Sequence, residues 1–94
     1  MTKSQTTLAT THASRYLQQL CKHFGRKVPT TFSQTAGQIT FPFGTCELSA
    51  SDSALAVTAN GTPDTQAKLE RVIGDHLTRF AFREAPVLSW HRFN

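Results

Sequence analysis

The sequence predicts a two-layer α+β sandwich, with a mostly antiparallel sheet, two helices on one face and the order β-α-β-β-β-α-β. Three observations lead there. Two stretches, one towards each end, carry apolar residues at three- and four-residue spacing, as amphipathic helices do. The stretch between them is β-branched, alternates apolar with polar residues and is cut by frequent turn residues. No linker or low-complexity run interrupts the 94 residues, which read as a single domain over 1–94 with residues 1–5 loose.

Thr6 to Thr10 is short and β-branched, anchored by Leu8, and predicts the first strand. Thr11 then caps a helix from about His12 to Lys27. Ala13, Tyr16, Leu17, Leu20, Cys21 and Phe24 fall on one face of it, and Arg15, Gln18, Gln19, Lys22 and Arg26 on the other. Gly25 weakens the last turn and Pro29 ends it. Thr30 to Gln34, carrying Phe32, predicts a short strand, and Thr35-Ala36-Gly37 a turn. From Gln38 to Phe43, Ile39, Phe41 and Phe43 alternate with polar residues or proline. Pro42 removes a ladder donor, which places this strand at an edge or a bulge. Thr45 to Ala50 resumes the alternation with Cys46 and Leu48 inward. Ala54 to Ala59 is a further strand, and Asn60-Gly61 a turn.

Thr62-Pro63-Asp64 signals a helix start: a cap, a proline in the first turn and an acid on the dipole. The helix runs to about Ala81 with the stripe Leu69, Val72, Ile73, His76, Leu77 and Phe80. Pro86 breaks the chain, and Val87 to Phe93 closes the sheet with Leu88 and Trp90 on one face. Strand, threonine, amphipathic helix with a late histidine, then strand: that sequence of features occurs near both ends.

Hydrophobic residues make up 38% and charged residues 17%, which excludes a disordered tail. No apolar run approaches the ~20 residues that cross a bilayer. The start, Met1 to Thr7, lacks the apolar segment of a signal peptide, so the expected location is cytoplasmic, with no membrane partner. Two cysteines in that compartment are expected as free thiols. The net charge of +4 permits an anionic partner, but no nucleic-acid-binding motif is present.

Three phrases carry a family resemblance. Arg15 to Phe24 (RYLQQLCKHF), Phe41 to Leu48 (FPFGTCEL) and His76 to Glu84 (HLTRFAFRE), together with Trp90, resemble the small bacterial family called domain of unknown function 2218. The resemblance covers nearly the whole chain. It implies an accessory role in iron handling, because members are encoded near siderophore-interacting or iron-uptake proteins. Such proteins are then the expected partners.

Five constellations are candidates for chemistry. Cys21, Cys46 and His76 are metal-ligand types suited to iron or zinc, although no cofactor is required and core thiols are the competing reading. Cys21 and His23 diverge on the first helix and do not ligate one ion together. His76 lies close to the centre of its apolar stripe, so it is either a core histidine bonded to a carbonyl or a ligand group; His23 sits at the flank of its own stripe and is expected to titrate near ~6.5. Arg79 and Arg83 are candidates for an anion clamp, with Glu84 neutralising one of them. Arg15, Lys22 and Arg26 form a basic face that reads either as solvated or as a polyanion site. Phe41 to Gly44 is a candidate edge for self-association.

Serine nucleophile elbows, glycine-rich phosphate loops and His-Glu-x-x-His motifs do not occur. The expectation is therefore a non-enzymatic binding or accessory module. A Cys/His metal-dependent or redox enzyme and a basic nucleic-acid or protein-interaction module are the alternatives.

Overall fold

Alternation builds the sheet. In β1 (Thr2–Ala9) Ser4, Thr6 and Leu8 are buried while Lys3, Gln5 and Thr7 face solvent. The same two-residue rhythm buries Ile39 and Phe41 of β3 (Ala36–Phe41), Cys46 and Leu48 of β4 (Gly44–Ala50), and Leu55, Val57 and Ala59 of β5 (Ala54–Gly61). These elements come from a computed structural model that describes residues 2–93. Two short strands, β2 (Thr30–Phe32) and β6 (His91–Phe93), complete one six-stranded sheet of order β2-β3-β4-β5-β1-β6. Every pairing in it is antiparallel.

The two helices, α1 (Ala13–Phe24) and α2 (Gln66–Phe80), cover one face: α1 lies over β2 to β5, α2 over β5 and β1, and they touch each other. The predicted α+β sandwich is the observed fold. Four strands stand between the helices, where the segments beginning at Thr30, Gln38, Thr45 and Ala54 predict them, so the order β-α-β-β-β-α-β counts one strand too few. Each fully buried leucine of the interlayer core, such as Leu17, Leu20, Leu55, Leu69 and Leu77, contributes about 1.5–3 kcal/mol by leaving water. At Gly37 a Cβ would come within 2.8 Å of the Cys21 sulfur, so glycine there lets α1 sit close on β3.

Several boundaries differ from the sequence expectation. Residues 2–5 are not loose: β1 begins at Thr2 and pairs with β5 on one side and β6 on the other. Their polar side chains hid the strand. Met1 and Asn94 lie outside the described residues. The α1 entry is held by Thr10, whose hydroxyl accepts the His12 N–H at 3.0 Å, one residue earlier than the expected Thr11. At α2 the helix starts at Gln66 with Thr65 as its N-cap, three residues later than the expected Thr62. Residues 63–65 form a turn in which the Thr62 carbonyl accepts the Gln66 N–H at 2.9 Å and the Thr65 hydroxyl accepts the Thr62 N–H at 3.0 Å. Asn60 and Gly61 continue β5 instead of turning.

Phe41 to Gly44 is not an edge. β3 is flanked by β2 and β4, and Pro42 and Phe43 form the hairpin turn between β3 and β4, where no ladder N–H is needed. Phe43 stacks on Phe41 at 5.1 Å, and the Lys68 ammonium sits 4.5 Å above it. The self-association edge expected there is thus occupied by the chain's own strands. Among the described residues no helix is long and apolar enough to cross a membrane.

Candidate functional site

The α2 stripe divides in two. Leu69, Ile73 and Leu77 are buried against the sheet, whereas Val72, His76 and Phe80 are half-buried on the flank that meets α1. His76 therefore leaves the core and faces the end of α1. There its ring lies 4.8 Å from that of His23 and 4.8 Å from that of Phe24, with Phe80 5.8 Å from His23 on the other side. His76 Nδ1 stands 2.7 Å from the Val72 carbonyl oxygen, which can only accept, so Nδ1 donates and Nε2 bears the lone pair of the neutral ring.

His23 is exposed at its edge, as its flank position implied, but it does not hold its ordinary pKa. Desolvation against the aromatic cluster, then the His76 imidazole, then Lys27, Arg26 and Arg79 all favour its neutral form and lower the value. The charged side chains acting on His23 are all cations. Of the four expected ligand residues, His23, His76 and Arg79 are thus gathered where the last turn of α1 meets the C-terminal half of α2. Arg83 is not: it lies over the Phe82 ring, 5.7 Å away, beyond the end of α2.

The cysteines do not join this site. Cys21 and Cys46 are free thiols, fully buried between α1 and the sheet. Burial pushes the Cys21 thiol up to about 11 and raises Cys46 as well, so both hold their protons, and a protonated thiol is a poor ligand and nucleophile. Among the described residues no group of three His, Cys, Asp or Glu is placed to hold a metal ion. The expected set of Cys21, Cys46 and His76 is not assembled. Arg15 and Lys22 are exposed on the solvent side of α1, and Arg26 is exposed in the turn after it.

Sequence reasoning missed a second polar cluster. Glu84 does not neutralise Arg79 or Arg83; its carboxylate accepts the hydroxyls of Tyr16 and of Thr10, the latter at 2.9 Å. Sixty-eight residues separate Tyr16 from Glu84, so no local pattern could reveal the pair. The Tyr16 hydroxyl, then Thr10, hold the Glu84 carboxyl below its usual range, and that carboxylate in turn raises Tyr16. The segment after α2 is tied down here, with Ala85 in the left-handed region at φ 46°.

Tyr16→Phe is expected to lower the melting temperature by several degrees at neutral pH. A lowered carboxyl pKa stabilises above the unfolded value and is lost as pH falls through the folded one. The wild-type advantage therefore shrinks on acidification below the ordinary glutamate range. Parallel thermal melts of both proteins across pH check this, and an advantage independent of pH would show that the hydroxyl acts through something other than Glu84.

A family model described as "Uncharacterized protein conserved in bacteria (DUF2218)" matches residues 5–91. Among solved structures, the chain is similar to the NMR structure of PA4090 from Pseudomonas aeruginosa. The two are 33% identical, the match covers 97% of this chain and 96% of that one, and the TM-score is 0.82. No curated protein matches the chain.

Proposed function

The chain belongs to the family of conserved bacterial proteins called domain of unknown function 2218, and on that premise we propose that it is a non-enzymatic accessory module that binds an anionic ligand where the last turn of α1 meets the C-terminal half of α2. One observation carries the reading: two imidazoles 4.8 Å apart, on different helices, acted on by Lys27, Arg26 and Arg79. Cations gathered around the rings repel one another until an anion joins them, so an anion is stabilised there by more than a single ion pair provides. The half-buried Phe80 beside the rings suits a ligand with flat apolar parts. A ferric siderophore, multiply anionic and often aromatic, has both properties, and the iron-handling setting that the family resemblance implies favours that class. Iron-uptake or siderophore-interacting proteins would then be the partners.

The test is a titration of the untagged protein with a ferric tris-catecholate complex, whose coordination shell is already full. Binding is expected to be salt-sensitive and to weaken roughly tenfold in Arg79→Glu, an exposed position where the fold is unaffected. Equal binding by wild type and variant, or none by either, would overturn the proposal.

A further inference from the structure

We infer that His23 and His76 together coordinate a first-row transition-metal ion that arrives in an anionic chelate with two adjacent positions open. The inference rests on the anion-binding reading of the same surface and adds a bond to it. The spacing is the first support. With metal–nitrogen bonds of about 2.0–2.1 Å, two imidazoles on one ion at angles from about 90° to about 109° have ring centroids about 4.5–5.2 Å apart. The observed separation is 4.8 Å.

The second support is the bond behind the ring. A metal-binding histidine almost always donates its other N–H to a carboxylate or backbone carbonyl, which fixes the tautomer and the ring direction. His76 Nδ1 makes that bond to Val72. The third is the source of the two rings. They come from α1 and α2, whose buried faces are fixed on one sheet, so the pair is positioned without a loop having to order.

Arg26, Lys27 and Arg79 select the form of the metal. They oppose a bare dication and favour one whose charge an anionic chelator has already reversed. Two protein nitrogens do not fill a coordination shell, so the chelator must supply the remaining donors. The ligand class is therefore an unsaturated anionic metal complex, and the bond is a ligand exchange in which two imidazole nitrogens replace two waters, with no change of oxidation state.

The test uses untagged protein and nickel nitrilotriacetate, a singly anionic complex with two adjacent exchangeable waters, followed by visible absorption and calorimetry. One complex per chain is expected, with a shift of the nickel bands to those of added nitrogen donors. His23→Ala, at an exposed position, is expected to weaken binding roughly tenfold or more and abolish the shift, while His12→Ala and His91→Ala change neither. His76→Gln keeps a polar side chain on the half-buried flank and is expected to behave like His23→Ala. Binding without a band shift, or a shift that survives in both His23→Ala and His76→Gln, would overturn the coordination. In that case the saturated ferric complex would still bind if the anion reading holds. Loss of binding to both complexes would overturn both.

Discussion

Gln66→Glu is expected to lower the unfolding free energy by about 3–5 kcal/mol at neutral pH, the cost of an uncompensated buried charge. Gln66 opens α2 and is fully buried. Its Nε2 donates to the Ser4 hydroxyl at 2.6 Å and to the Ala59 carbonyl at 3.0 Å, while Oε1 has no partner. A carboxylate is nearly the same shape but cannot donate. Ionised, it would face the Ala59 carbonyl with negative charge on both sides, in a place water does not reach.

The pH dependence follows from the sign of that cost. Burial raises the folded-state pKa of the new acid above its unfolded value of about 4.3. The ionisation penalty is then absent below the unfolded value and grows as pH rises from there towards the folded one. Urea denaturation of variant and wild type should therefore show a gap near pH 7 that narrows near pH 4. A gap below about 1 kcal/mol at pH 7 would mean that the amide is not fixed between β1 and β5 as described.

Gly44→Ala is expected to cost about 1–3 kcal/mol from the backbone conformation alone. Gly44 has φ 152°, where side chains are strained. A Cβ would also stand 2.7 Å from the Asn60 carbonyl oxygen and 2.9 Å from Leu69, so the hairpin must move off β5 and α2. Gly74→Ala supplies a contrast of opposite sign. It lies within α2, where a Cβ would meet Trp90 and Leu88 at 3.6 and 3.8 Å, ordinary contact distances. Alanine there should stabilise by roughly 0.5–1 kcal/mol. If both denaturation midpoints fall, the Gly74 assignment is wrong; if both rise, the Gly44 assignment is wrong.

The fold was legible because its signals are local. The helices followed from three- and four-residue spacing, and the paired strands from alternation with Ile39, Phe41, Cys46, Leu48, Leu55 and Val57 inward. The errors fall where a distant partner decides. Lys3, Ser4 and Gln5 have no strand signature of their own; β5, β6 and the Gln66 amide make them central. Pro42 predicts an edge or a bulge because a proline in a strand and a proline in a hairpin turn look alike along the chain.

The site was legible only in part. His23 and His76 stood out as individual residues and as a recurring late histidine in each helix, but their proximity depends on how the helices pack. The stripe reading centred His76 on the apolar face, whereas packing against two neighbours, sheet and helix, splits that face and turns His76 towards α1. Cys21 and Cys46 looked like ligands by type alone, and burial decides against them.

The place of β1 in the sheet also sets an order of events for a chain made from its N-terminus. β1 is the first strand of this sheet to be synthesised, yet its neighbours are β5, more than half the chain away, and β6, the last strand of the sheet. β2 to β5 can zip as a local meander while β1 waits with both edges bare. Closing such distant pairings carries a loop entropy that slows folding and leaves backbone donors open to other chains in the meantime. The polar Thr2-Lys3-Ser4-Gln5 run that hid the start of this strand is then a safeguard. It stays hydrated until β5 arrives, and only the Gln66 amide and the sheet itself make its burial favourable.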